Sequence, residues 1–267
     1  MLSTQATAGS ARAQGELWGE RARDYADFQE PQLWPLFEDA IRRTGIGLGS
    51  TVLDVGCGPG GFCRLAAEAG ASVVGIDASE ALLEIARERA PSGRFALGDM
   101  QFLPYEDDSF DVVTGFNSFQ YAADQVAALR EARRVTRSGG TAHLVVWGRE
   151  ENTELVAALR ALSPLLPPAP PGAPGPFALS YPGALEALLE QAGLTPTDDG
   201  YIELAFEYPD ETALVKGNNS NGPVVLAERT SGRTTVIDAV LGSLAPFRNA
   251  SGAYRIETEW RYVTARA

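Results

Sequence analysis

Residues 52–62, Val-Leu-Asp-Val-Gly-Cys-Gly-Pro-Gly-Gly-Phe, constrain this chain more than any other stretch, because an apolar strand runs there into a glycine-rich turn and a helix. Gly56, Gly58 and Gly60 have no Cβ, so the backbone can take positive φ and press its amides, with Cys57 among them, against a ligand at the carboxyl end of a parallel strand. Gly56, Gly58 and Gly61 also satisfy the G-x-G-x-x-G spacing of a dinucleotide turn. The turn by itself leaves the cofactor open.

Acidic residues narrow the choice. A second apolar strand, 72–76, ends at Asp77, where a carboxylate accepts the hydroxyls of a ribose; Ala78 beside it belongs to the same candidate set. Asp54 lies two residues before Gly56, where it would repel a diphosphate and attract a sulfonium and an ammonium. Asp99 follows a third strand, 94–97, and can accept a proton from an adenine amino group while Met100 covers the ring. Three acids at three successive strand ends favour S-adenosylmethionine over a nicotinamide.

These residues, together with Phe110-Asp-Val-Val-Thr-Gly-Phe-Asn117 and the block from Leu129 to Gly140, resemble the class I S-adenosylmethionine-dependent methyltransferases, in particular the small-molecule branch that includes ubiquinone and menaquinone biosynthesis-like enzymes. The likeness covers roughly residues 50–150. It implies a Rossmann-like α/β fold, a seven-stranded doubly wound sheet with an N-terminal helical lid and a C-terminal α/β insertion. It also implies S-adenosyl-L-methionine as cofactor and S-adenosyl-L-homocysteine as product, with Tyr25 of the lid near the methionine end and Phe116 and Asn117 beside it.

The alternation of strand and helix gives the same architecture: strands at 52–55, 72–76, 94–97, 110–114 and 141–147, helices at 61–69, 79–89 and 124–136. Two helices broken at Pro31 are expected over 16–44. The expected organisation is a loose tail at 1–15 and one domain at 16–267. Within it lie a lid (16–46), a cofactor core (50–150), a flap and helix (151–195), and C-terminal strands with a helical insertion (196–267). Prolines at 164–176 exclude helix and central strand. They read as a surface loop or a flap over the substrate mouth. A helix at 181–193, strands at 201–207 and 254–264, a turn cluster at 217–223 and helices near 224–228 and 234–244 complete the pattern.

A net charge of −13 leaves no basic field for a phosphate backbone, so a nucleic-acid partner is disfavoured. Two cysteines, Cys57 and Cys63, form neither a disulfide framework nor a metal quartet. Met1–Gln14 lacks a signal-peptide core, and no apolar run has the length of a bilayer span. The expectation is a cytoplasmic protein, monomer or homodimer, with a small-molecule partner and no membrane or nucleic-acid partner.

Methyl transfer from a sulfonium needs chiefly positioning and exclusion of water. No catalytic residue is therefore assigned. Phe119, Gln120 and Tyr121 after the fourth strand, with Trp147 and Arg149 after the fifth, are the candidates for the acceptor pocket. His143, the only histidine, lies inside a strand and is expected to be structural. The strand end at Asn117 lacks the prolines of the Asn-Pro-Pro-aromatic motif carried by nucleobase and glutamine methylating enzymes. No set of oxygen ligands suggests a metal. Two other readings stay open: a protein that binds the cofactor without methyl transfer, and an NAD(P)-dependent oxidoreductase.

Overall fold

The structure, a computed structural model, describes residues 10–168 and 174–267. Residues 1–9 of the expected tail and 169–173 of the expected flap lie outside the described residues. The N-terminal segment comprises α1 (Ala11–Gly19), the short α2 (Ala22–Asp24), a π-helical turn at Tyr25–Gln29, a 3-10 turn at Glu30–Leu33 and α3 (Trp34–Thr44). Helix α1 begins five residues ahead of the expected lid, so residues 11–15 of the segment read as a tail are helical.

Seven strands form one sheet: β1 (Thr51–Val55), β2 (Ser72–Asp77), β3 (Arg94–Leu97), β4 (Phe110–Phe116), β5 (Thr136–Trp147), β6 (Thr195–Tyr208) and β7 (Tyr254–Arg266). Their order is β3-β2-β1-β4-β5-β7-β6. β1 to β5 pair in parallel, and β7 runs antiparallel to both β5 and β6. The strand order reverses between β1 and β4, which opens a crevice at their carboxyl ends.

Helices α4 (Gly61–Glu68), α5 (Glu80–Arg89), α6 (Gln125–Val135), α7 (Val156–Leu162) and α8 (Ala184–Gln191) cover the sheet on its two sides. Alternate side chains of β1 divide between two cores: Val52 enters one with Phe37, Phe62 and Trp260, and Leu53 the other with Val113, Leu129 and Leu144. Both faces of the sheet are therefore buried, as its continuous apolar runs require.

After β6 come α9 (Glu211–Asn218), α10 (Gly222–Ser231) and α11 (Arg233–Leu244). Helix α9 occupies part of the expected turn cluster at 217–223. Asp210 caps it by accepting the amide of Ala213 at 2.8 Å. β6 is also longer than expected, since every residue from Tyr201 to Tyr208 and most of those from Thr195 find a partner in β7.

Candidate cofactor and acceptor cavity

A cavity opens at the carboxyl ends of β1, β2, β3 and β4. Its floor is the glycine turn. Gly56 and Gly58 have φ of +75° and +53°, in the left-handed region that glycine enters without steric cost. A Cβ on Gly56 would lie 2.5 Å from the Cβ of Ser118, whose hydroxyl donates to the Val55 carbonyl at 2.7 Å. The turn thus abuts the end of β4 with no room for a side chain.

Asp77 sits where β2 meets this turn. One carboxylate oxygen accepts the amide of Gly58 and the other that of Ser79, each at 2.8 Å. Desolvation raises its pKa, and amides of Ser79, Gly58 and Ala78 oppose the rise. Ala78, Asp99 and Met100 line the wall beside it, with Ile76 and Leu82 supplying apolar surface. Asp99 accepts the amide of Gln101 at 2.9 Å, which fixes its carboxylate at the end of β3.

Phe116 and Asn117 form the opposite wall. Phe116 packs on Phe37 and Phe62 with ring centroids 4.9 and 4.7 Å away. Asn117 takes φ +52°, a left-handed conformation that asparagine tolerates. Its amide donates to the Val145 carbonyl at 2.7 Å, and its side-chain oxygen accepts from Gln120.

The lid contributes Tyr25 as expected, and also Ser10, Ala11, Gln14 and Trp18 of the segment read as tail or core. Trp18 meets Tyr25 edge to face at 5.6 Å and Tyr121 at 5.4 Å. The Ser10 hydroxyl donates to the Tyr121 carbonyl at 2.6 Å, tying α1 to the loop after β4. Nothing in the polar, glycine-containing stretch 10–16 signalled this; Trp18 and Tyr25, seven residues apart on a helical pattern, did put two rings on one side.

Several candidates lie elsewhere. Asp54 is only 2% exposed and lies beneath the turn, where it accepts the Thr114 hydroxyl at 2.8 Å. It does not line the cavity, because a residue within a strand body points toward the neighbouring layer. Burial pushes its carboxyl up to about 7. Cys57 is buried against the sheet, and Gly60 is required by α5: a Cβ there would lie 2.9 Å from that of Ala86.

On the acceptor side, Phe119 is buried in the core against β4, and Gln120 reaches the cavity only through Asn117. Trp147 stacks on Trp260 of β7 at 4.3 Å, away from the cavity. Arg149 is held by Glu259 of β7, with Nε to Oε1 at 2.9 Å, and its guanidinium lies 4.3 Å from the centre of the Tyr201 ring. Of the five acceptor candidates, Tyr121 alone lines the cavity. His143 is fully buried in β5, bonded to the Thr264 hydroxyl at 2.9 Å, and desolvation lowers its pKa to about 4.

Glu30 was not foreseen. Its carboxylate reaches from the lid to the start of α4, accepting the Gly61 amide and an Arg89 N–H, both at 2.8 Å. A Cβ on Gly61 would sit 2.6 Å from that carboxyl carbon. The third glycine of the dinucleotide-like spacing therefore makes room for an internal acid. The helix N-terminus that would bind a diphosphate is already occupied by this carboxyl group.

Residues 53–144 match the family described as methyltransferase domain. Residues 53–144 of the chain therefore carry a methyltransferase domain. The chain is 35% identical to methyltransferase GfsG of Streptomyces halstedii over 59% of this chain and 57% of that protein. It is 37% identical to the uncharacterized protein Rv1405c of Mycobacterium tuberculosis over 46% of this chain and 47% of that protein. The chain spans about half the length of these curated relatives. The solved structure of YcgJ from Bacillus subtilis shares the fold, with a TM-score of 0.58 and 20% identity over 86% of this chain and 98% of that one.

The cavity fits the domain's cofactor on three counts. Glycines leave the floor open, Asp77 and Asp99 supply acceptors at two strand ends, and Ile76, Leu82 and Met100 offer apolar faces. Among the described residues no group of three or more His, Cys, Asp or Glu side chains is placed to hold a metal, and no helix is long and apolar enough to cross a membrane.

Proposed function

We propose that this protein transfers a methyl group from S-adenosylmethionine to a small-molecule metabolite by in-line displacement. The observation that carries the reading is the joining of Asp77, the glycine turn, Asp99 and Asn117 around one cavity that α1 roofs over. Asp77 would hold the ribose, Asp99 and Met100 the adenine, and Asn117 with Tyr25 the methionine portion. The bound sulfonium supplies an activated methyl group.

This chain's own residues orient and exclude. The aromatic and apolar walls keep water from the reacting atoms, and the α1 roof covers the mouth. The net charge of −13 supports a small-molecule acceptor over a nucleic acid. The cysteines Cys57 and Cys63 are free and buried, which supports a cytoplasmic setting. Calorimetric titration with S-adenosylhomocysteine, followed by a mass-spectrometric screen of metabolites for gain of one methyl, tests the proposal. A folded protein that takes up neither cofactor nor product would refute it.

A further inference from the structure

Resting on the methyltransferase reading, we infer that the methyl acceptor is an amine whose nitrogen lies against the rings of Trp18, Tyr25 and Tyr121. All three line the same cavity, with Trp18 in edge contact with both tyrosines. Aromatic rings favour, through their quadrupole, the positive charge that develops on an amine nitrogen as it takes the methyl group, most strongly where water is excluded.

Charge points the same way. The two acids that line the cavity, Asp77 and Asp99, are taken up by the cofactor, and no Lys, Arg or His is among the described residues that line it. The guanidinium groups nearest in the adjoining open groove, Arg12 and Arg229, are paired with Glu16 and Glu20. An anionic acceptor would meet no cationic side chain among the described lining residues.

Proton accounting separates an amine from a hydroxyl or carbon acid. A hydroxyl or carbon acceptor must lose a proton to a nearby base as the new bond forms. The phenols of Tyr25 and Tyr121 are pushed upward by burial, the latter to about 12, so neither serves as a base at neutral pH. Asp77 and Asp99 are engaged by backbone amides, and Asp54, Glu30 and His143 do not line the cavity. An amine in its free-base form needs no such partner. Its lone pair forms the N–C bond as the S–C bond breaks, the electron pair of that bond stays on sulfur, and the positive charge passes from sulfur to nitrogen. One positive charge faces the rings before and after transfer, and the N–H proton leaves to solvent once the product has departed.

The test titrates the protein, saturated with S-adenosylhomocysteine, with choline and with its uncharged isostere in which carbon replaces the quaternary nitrogen. Choline should bind about tenfold more tightly than the isostere. Trp18→Leu and, separately, Tyr121→Leu should bring that ratio toward one, and the ratio is insensitive to a general loss of affinity. Equal or weaker binding of choline, or no binding of it, on protein that has taken up S-adenosylhomocysteine overturns the amine assignment and leaves the methyltransferase reading standing. Failure of S-adenosylhomocysteine itself to bind overturns both.

Discussion

The backbone of Gly15 rests directly on the carbonyl of Ala78: a Cβ at Gly15 would lie 2.0 Å from that oxygen. One turn later a Cβ on Gly19 would meet the Ser79 hydroxyl at 2.5 Å. Helix α1 therefore seats on the loop that follows Asp77, and its side chains reach the cavity from there. Gly15→Val should lift α1 and weaken S-adenosylhomocysteine binding by about tenfold or more, a cost in the range of overpacking a close contact. Calorimetry reads the affinity, and an unchanged circular dichroism spectrum shows that the sheet persists.

Asp77→Asn tests the cofactor role of the β2 end. The asparagine nitrogen would face a backbone donor that Asp77 now satisfies, at a stability cost of about 1–3 kcal/mol. Cofactor affinity should fall by about tenfold or more through lost charge-assisted bonds. Binding within twofold of the parent, on folded variant, would remove Asp77 from the site.

The pH dependence of stability follows from three buried groups. Asp54 and Glu30 are both raised to about 7, chiefly by desolvation, so the folded state binds more protons than the unfolded chain between about pH 4 and 7. Their contribution falls as pH rises through that window. His143, depressed to about 4, acts oppositely: its contribution grows from about pH 4 to 6.5. Two acids against one histidine predict a ligand-free protein that melts higher at pH 6 than at pH 8. His143→Gln should widen that gap, and Asp54→Asn should narrow it, by roughly 3 °C or more in thermal melts.

Arg149 distinguishes a structural cation from an acceptor contact. Glu259, whose side chain is fully buried, has the Arg149 guanidinium as its only cationic partner within salt-bridge distance among the described residues. Arg149→Ala should lower the melting temperature, because it removes the charge partner of a buried carboxylate and leaves it only the Arg149 amide and Asn152 as donors. Cofactor affinity measured below the melting transition should stay within about threefold, since the residue does not line the cavity.

What the sequence disclosed depended on how local the cause was. The strand, turn and helix at 51–68 were legible because apolar runs bounded by glycine state their own geometry. The fates of Trp147 and Arg149 were not, since both are decided by β7, more than a hundred residues away. Helix α9 carries turn-like residues at its end, and its docking depends on Tyr208: a Cβ on Gly217 would lie 2.7 Å from that ring. Asp54 was placed correctly in the chain and wrongly in space, because its neighbour Thr114 belongs to another strand. Ser10 and Gln14 could be assigned only once α1 was seen resting on Ala78.

β7 follows every other strand in sequence yet lies between β5 and β6, and β6 pairs with no strand but β7. While the chain is being synthesised, β5 therefore presents a bare edge and the fourteen residues of β6 have no ladder to join until residues 254–266 have emerged. Docking of β6 is thus tied to the arrival of β7, and the two strands join the sheet nearly together. Until then the bare edge of β5 and the unpaired β6 leave the growing polypeptide exposed to aggregation.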